Sequence, residues 1–170
     1  MYPSLVKSFL KDGDKKGALL IFRRISPYLR DQYGFQRIGD EFIANSMLDA
    51  AVEAYEKIME KSPTYYTAYI KLFAAYVKMG KYSEAARTYE RLLSNPRLDP
   101  ARYGVSIGKI RVDLTDVYIK LKEFDRAAKH LRTVIVSPIE EQDIRTTALL
   151  KLIGIFKEQG KIEMLADKYK

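Results

Sequence analysis

The sequence predicts an all-α fold of stacked antiparallel helix hairpins, and three observations lead to this fold class. Similar segments recur at 46–63, 80–96 and 122–138. Each places a small Ala, then an aromatic residue or Leu four positions on, then an aliphatic residue three further, which makes one apolar face at helical spacing. A Pro follows each face, where it ends a helix. From Ala51 to Ala85 the period is 34 residues, a spacing typical of stacked hairpins.

The repeated segments are predicted to be the second helices of the hairpins, and apolar residues ahead of each one define the first helices. The first-helix residues are Tyr2, Leu5 and Phe9; Phe35, Ile38 and Phe42; Tyr69, Leu72 and Tyr76; Leu114 and Tyr118; and Leu149, Leu152 and Phe156. The second-helix residues are Ala18, Phe22 and Ile25; Ala51, Tyr55 and Ile58; Ala85, Tyr89 and Leu92; Ala127, Leu131 and Val134; and Ile162, Leu165 and Tyr169. We therefore predict one domain over 1–170, with units at about 1–30, 32–63, 66–96, 100–138 and 144–170.

The interval between the third and fourth units is 42 residues instead of 34. Asp99 followed by Pro100 is typical of a helix N-cap with proline at the first helical position. We therefore predict a helix from about Pro100 to Lys120, about two turns longer than its counterparts. Gly104 and Gly108 would lie one turn apart on the extension, either as a tolerated irregularity or as a smooth strip where another backbone docks.

The last predicted helix, KIEMLADKYK at 161–170, is shorter than its counterparts and carries apolar residues with no later element to cover them. A helical array needs a polar-faced helix at its end. An exposed apolar patch there favours contact with another chain. The chain is therefore predicted to be a piece of a longer array or to self-associate through its last hairpin.

Composition excludes several classes of function. The chain has no Cys and a single His, His130, which we expect at the surface or half-buried, so a thiolate or multi-imidazole metal site is excluded. No Gly-rich phosphate loop or buried carboxylate pair is indicated, and we predict no enzyme, no metal and no cofactor. No apolar run approaches the roughly 18 residues of a membrane span, and no secretory signal is present, so we expect a cytoplasmic protein.

The net charge of +8 is dispersed along the chain and alternates in sign with the repeat. A basic block or stripe is the usual mark of nucleic-acid binding. Nucleic acid is therefore not favoured as a partner. The excess of Lys and Arg is typical either of a solvated surface or of a protein that binds an acidic partner.

The pattern resembles the tetratricopeptide repeat family. The third unit matches best, at Tyr69, Leu72, Tyr76, Gly80, Tyr82, Ala85, Tyr89, Leu92 and Pro96. Gly39 matches the family's small residue in the first helix, whereas Phe73, Thr115 and Ile153 depart from it, which predicts slightly wider helix pairs. The resemblance covers nearly the whole chain. It implies a right-handed α-solenoid and a non-enzymatic interaction scaffold that binds a partner protein.

By this resemblance, one face of each first helix lines a concave groove. The residues of this face are Tyr33, Gln36 and Arg37; Ile70, Lys71, Ala74, Val77 and Lys78; Lys109, Val112 and Ile119; and Leu150 and Lys151. They form an apolar floor edged with Lys and Arg, which suits an amphipathic helix or an extended apolar peptide with some acidic residues. A second copy of the chain is the alternative occupant. Tyr65 and Tyr66 are candidates for exposed anchors, since Tyr is enriched in binding hot spots.

Narrower functions are separated by single residue types. A subtype of the family grips a C-terminal carboxylate with Lys, Arg and Asn, but Asp40 and Asp113 occupy candidate positions of that clamp, so a clamp is not expected. RNA-processing scaffolds built from half-a-tetratricopeptide repeats carry a Trp in the first helix, and this chain has none. A small chaperone for exported bacterial proteins agrees in length and fold. The last two functions stay open as alternatives to a general scaffold.

Overall fold

The computed structural model describes residues 2–97 and 104–162, and within them every regular element is a helix. The all-α prediction is therefore confirmed. The chain divides into two compact units, 1–98 and 99–170, and the boundary falls in the interval where the period breaks. Of the helices described, none combines the length and the apolar character needed to cross a bilayer.

The first unit contains three helix hairpins stacked in chain order. Its helices are α1 (Tyr2–Lys11) and α2 (Lys15–Ile25), α3 (Gln32–Ala44) and α4 (Leu48–Lys61), and α5 (Tyr66–Lys78) and α6 (Tyr82–Ser94), with a short 3-10 helix at Ser26–Tyr28. Each helix packs against its hairpin partner. In addition, α1 packs against α3 and α4 against α5, so successive hairpins share one core.

Each hairpin of this unit turns between its helices in the same way. In the third hairpin Gly80 adopts a left-handed φ of 69°, and Lys81 donates its backbone N–H to the carbonyl of Tyr76 at 2.9 Å. Gly13 and Ser46 take the same left-handed position in the first two hairpins, with φ of 75° and 58°. This conformation closes the C-terminus of the first helix.

Aromatic rings fill the space within the hairpins. The Tyr55 ring is fully buried against Gly39, where a Cβ atom would lie 2.7 Å from the ring. At the equivalent place in the next hairpin Phe73 stacks on Tyr89, with centroids 3.6 Å apart and planes 4° from parallel. In both hairpins a Tyr ring thus fills the space between the two helices, against Gly39 in one and against the Phe73 ring in the other. The wider helix pairs stay a prediction.

Over residues 104–162, the second unit contains the fourth hairpin and one further helix. Its helices are α7 (Ile107–Lys120), α8 (Phe124–Ile135) and α9 (Gln142–Glu158). Both α7 and α8 pack against α9. The predicted last helix at 161–170 lies largely outside the described residues, since these end at 162.

The long first helix that the sequence predicts for the fourth hairpin is wrong at its N-terminus. α7 begins at Ile107 rather than near Pro100, and its 14 residues match the length of the other helices. Gly104 is not helical but adopts a left-handed φ of 68° in a turn. Residues 98–103, which include the predicted N-cap, lie outside the described residues.

A carboxylate from the loop after α8 fixes the start of α7. Glu140 accepts a hydrogen bond from the backbone N–H of Gly108 at 2.7 Å and from the Ser106 hydroxyl at 2.8 Å. Ser106 is the N-cap, and its Oγ accepts from the backbone N–H of Lys109 at 2.9 Å. Two amides that the helix itself leaves unpaired are thus satisfied. A Cβ at Gly108 would lie 2.4 Å from this carboxylate, so Gly108 makes room for the cap and is not a docking strip.

His130 is buried, with 9% of its surface exposed, so the predicted surface or half-buried position is wrong. The imidazole stacks on Tyr118 with centroids 5.6 Å apart. Its Nδ1 lies 3.2 Å from the guanidinium of Arg111 on α7. His130 therefore joins the two helices of the fourth hairpin.

Candidate interaction surface on the first helices

The first-helix face of the first unit consists of the side chains on α3 and α5 that the sequence predicts to line a groove. All eight of them reach the surface. The exposed residues are Tyr33, Arg37, Ala74 and Lys78, and the half-buried residues are Gln36, Ile70, Lys71 and Val77. This face is therefore available for contact, and its chemistry depends on which of its groups already have partners.

Asp40 connects three helices at the centre of the face. Its Oδ1 accepts the hydroxyl of Tyr55 on α4 at 2.8 Å, and the ammonium of Lys71 on α5 lies 2.9 Å from the same oxygen. Burial raises the pKa of Tyr55 well above its usual value, and the hydrogen bond to Asp40 raises it further. The hydroxyl therefore remains a donor. Lys71, expected as a basic edge, is neutralised by its own chain.

A second bridge joins α3 to the start of α5. Tyr65 donates its hydroxyl to Oε1 of Gln36, and its ring meets Tyr33 edge-on with centroids 5.9 Å apart. Burial raises the pKa of the Tyr65 hydroxyl. Tyr65 and Tyr66 are both half-buried rather than exposed anchors. Tyr33, 60% exposed, is the aromatic ring that this face presents.

An open apolar strip remains along α5. Ile70, Ala74 and Val77 follow at i, i+4 and i+7, so they line one side of the helix. Lys78 lies beside the last of them and Arg37 lies on the neighbouring α3. In the part of the chain that the structure describes, neither of these two cations forms an ion pair. The strip can therefore hold apolar side chains, with two unneutralised cations nearby.

In the second unit the predicted residues lie on α7 and α9. Lys109 pairs with Asp113 one turn further along α7, and Lys151 of α9 pairs with Asp116 of α7. Val112 is only 5% exposed, so its predicted place on an open surface is wrong. The reason is that α7 packs against both α8 and α9.

The helix α9 exposes apolar side chains. Leu150 is 64% exposed, and Leu149 and Ile153 are each 39% exposed, whereas Ile119 on α7 is half-buried. The opposite side of α9 is buried, so this helix is apolar on two sides. Self-association through the last hairpin stays a prediction, and most of the final helix on which it was based lies outside the described residues.

Ion pairs about one repeat period apart join successive first helices and successive second helices. They are Lys7–Glu41, Lys71–Asp40, Arg23–Glu53 and Lys81–Asp49 in the first unit, and Lys151–Asp116 in the second. In the first unit all the carboxylates belong to the second hairpin. The alternating charge is visible in the sequence, but these pairs were not predicted from it. Opposite charges spaced by about one period are the sequence pattern that would have predicted these ion pairs.

Groups suited to metal binding do not cluster here. Across residues 2–97 and 104–162, no three His, Asp or Glu side chains lie close enough together to hold an ion. That the protein is not an enzyme and uses no cofactor stays a prediction from the sequence.

Comparisons with known proteins agree with the repeat pattern. A family model described as tetratricopeptide repeat matches residues 42–104. Tetratricopeptide repeat protein 21B of Homo sapiens is 28% identical over 160 residues, which is 91% of this chain and 11% of that protein. Protein bimA of Emericella nidulans is 33% identical over 85 residues, which is 48% of this chain and 10% of that protein. The chain thus spans about a tenth of the length of these relatives.

Solved structures of MamA share the fold. One crystal structure aligns with a TM-score of 0.63 at 16% identity, over 99% of this chain and 86% of that one. A second, MamA 41-end from Desulfovibrio magneticus RS-1, aligns with a TM-score of 0.60 at 13% identity, over 99% and 89%. At these identities the likeness shows the fold alone.

Proposed function

We propose, from the premise that this chain belongs to the tetratricopeptide repeat family, that it binds a peptide or an amphipathic helix of a partner protein on its first-helix face. The family supports an interaction scaffold in general. The observation that carries the finer proposal is the open strip of Ile70, Ala74 and Val77 on α5. Ala74 is exposed and Ile70 and Val77 are half-buried, whereas the other side of α5 is buried.

The charges around the strip indicate what the ligand needs. Lys71 is already paired with Asp40, so it offers little to an incoming carboxylate. Arg37 and Lys78 have no such partner among the described residues, and they would pair with acidic residues that flank the apolar part of the ligand. Tyr33 adds an exposed aromatic ring, a side chain enriched in binding hot spots.

The test is a double substitution, Ile70→Asp with Val77→Asp. Two carboxylates in the strip remove its apolar character and oppose an acidic ligand, so we expect proteins captured by the wild-type chain to be lost from the variant. Quantitative mass spectrometry of the captured proteins measures the loss. The matched control is Leu20→Asp, which places a carboxylate at an apolar residue that is 72% exposed on α2, away from this face.

Two results would contradict the proposal. If the double variant loses its helical circular dichroism signal, the two residues belong to the core. If Leu20→Asp loses the same proteins as the double variant, the capture reflects general surface charge rather than the strip.

A further inference from the structure

A cleft of about 500 Å³ lies between α4 and α6, the second helices of the second and third hairpins. We call it the outer cleft. Its floor includes Met59 and Leu72, which are 6% and 3% exposed. Glu56 lies on its α4 wall, and Arg87 and Arg91 lie one helical turn apart on its α6 wall. Glu84 of α6 also lines the cleft, so its apolar floor meets carboxylates on both walls and two arginines on the α6 wall.

The guanidinium groups of Arg87 and Arg91 form no hydrogen bond or ion pair with the described residues. Glu60, which also lines the cleft, instead pairs with Lys57 of its own helix at 2.8 Å. Glu84, in the first turn of α6, forms no ion pair with them. A guanidinium presents a planar fork of donors that matches a carboxylate, so Arg87 and Arg91 are left with unused binding capacity.

The first two hairpins show what the equivalent positions do when their charges pair. Arg23 of α2 donates to both carboxylate oxygens of Glu53 on α4, at 2.9 to 3.2 Å. One period later Glu56 takes the place of Arg23, and Arg87 takes the place of Glu53, 33 and 34 residues on. The two charges are exchanged, but the equivalent ion pair does not form.

The hydroxyl of Tyr76 explains the difference. Glu56 accepts this hydroxyl at 2.8 Å, which directs its carboxylate to α5. The residue one period before Tyr76 is Phe42, which has no hydroxyl, so nothing equivalent to Tyr76 holds Arg23 away from Glu53. Arg87 is thereby left without the carboxylate that the repeat places opposite it.

We propose that the outer cleft is a second binding site, which takes an acidic segment of a partner protein. One carboxylate of the segment occupies Arg87 as Glu53 occupies Arg23, a second lies at Arg91, and an apolar side chain rests on Met59. Bidentate pairs between Arg and a carboxylate are among the stronger polar contacts in proteins. The site shares no residue with the first-helix face, so the two proposals succeed or fail separately.

The probe is a fluorescein-labelled synthetic peptide of alternating Glu and Leu residues, and fluorescence anisotropy measures its binding to the full chain. The wild-type chain is used, and Ile70→Asp with Val77→Asp is measured beside it to show what the first-helix face contributes. We expect Arg87→Glu to weaken binding at least about tenfold. Arg24→Glu makes the same charge change at an exposed arginine of α2, and we expect it to leave binding unchanged.

Substitution of Tyr76 tests the mechanism without a change in net charge. Tyr76→Phe frees Glu56 to pair with Arg87, and an exposed intramolecular pair of this kind should weaken the peptide about two- to fivefold. Adding Glu56→Gln removes the competing carboxylate, so we expect this double variant to bind the peptide at least as tightly as the wild-type chain does. Loss of binding through damage to the hairpin would not be rescued in this way.

Four outcomes would overturn the proposal. Equal losses in Arg87→Glu and Arg24→Glu would show general attraction to a basic chain. Unchanged binding in Tyr76→Phe would show that Glu56 does not control Arg87. Equal binding of a peptide with Gln in place of Glu would exclude carboxylate recognition. A single-stranded oligonucleotide that binds more tightly than the peptide, and depends on Arg87, would replace the acidic peptide as ligand.

Discussion

Asp40 carries two interactions of different strength on one oxygen. The Tyr55 hydroxyl that it accepts is on a fully buried residue, and a buried donor without a partner costs about 1–3 kcal/mol. The ion pair to Lys71 joins side chains that are 39% and 43% exposed, and such pairs contribute about 1 kcal/mol or less. The structural role of Asp40 is therefore mainly to satisfy Tyr55.

We expect Asp40→Ala to lower the free energy of unfolding by about 1–3 kcal/mol and Lys71→Ala by less than about 1 kcal/mol. Urea denaturation followed by circular dichroism measures both. Tyr55→Phe in the Asp40→Ala background removes the orphaned hydroxyl and should recover part of the loss. Equal losses of unfolding free energy for the two single variants would show that Asp40 stabilises the fold through the ion pair rather than through the buried hydroxyl.

The sequence predicts that Asp40 and Lys71 lie on first helices, but it does not predict their ion pair. A period shows that two residues occupy similar places in successive hairpins. It does not show that Tyr55 and Lys71 meet at one oxygen of Asp40, because that depends on the space that Gly39 leaves for the Tyr55 ring. The sequence therefore predicts that Lys71 is an unpaired cation, whereas in the structure Asp40 neutralises it.

Among the helices, the left-handed residue at each hairpin turn is the feature that recurs most regularly. Glycine occupies it at Gly13, Gly80 and Gly160, whereas Ser46 and Lys122 adopt φ of 58° and 59° with side chains. A left-handed residue with a Cβ costs about 1–2 kcal/mol. The packing of the two helices must therefore impose the turn in the second and fourth hairpins.

We expect Gly80→Ala to destabilise the chain by about 1 kcal/mol. A Cβ at Gly80 would meet no atom within 4 Å, so the cost comes from the backbone alone. The matched control is Gly154→Ala, also in open space but inside α9, which should stabilise by about 1 kcal/mol. Thermal unfolding compares the two, and shifts of the same sign would contradict this explanation.

The wrong start predicted for α7 has a similar cause. Asp99 and Pro100 are a local signal of a helix N-terminus. A local signal carries no information about side chains that are distant in the chain and close in the fold. Ser106 is the local N-cap of α7, but the second capping group is the carboxylate of Glu140, 32 residues after Gly108 in the chain. A contact between a loop and a helix at this separation has no local pattern, so Gly108 could be interpreted only as an irregularity or a docking strip.

In the whole molecule, the first unit has the elements that an independent array needs. It contains three hairpins, about the smallest number of repeats that buries a continuous core. Phe22 of the first hairpin meets Phe35 and Phe42 of the second edge-on, at 6.4 and 5.4 Å, so the core continues between hairpins. The number of hairpins and their order could be predicted from the period, since it reflects this shared core.

We therefore expect residues 1–97 alone to show a helical circular dichroism spectrum and a cooperative thermal transition. Phe22→Ala in this fragment removes a fully buried ring, which costs about 3–5 kcal/mol, and should abolish or strongly lower the transition. A disordered spectrum for the unsubstituted fragment would show that three hairpins are not sufficient in this sequence.

The ion pairs of the first unit also mean that its hairpins are not interchangeable. The second hairpin supplies all four carboxylates, and the first and third supply the cations. If the second hairpin were duplicated in tandem, Glu56 would take the place of Arg23 opposite a second Glu53. If the first hairpin met the third directly, Arg23 would face Arg87. Like charges in contact favour separation. The order of the hairpins is therefore encoded in their charges, even though the apolar residues that stack them are nearly the same in each.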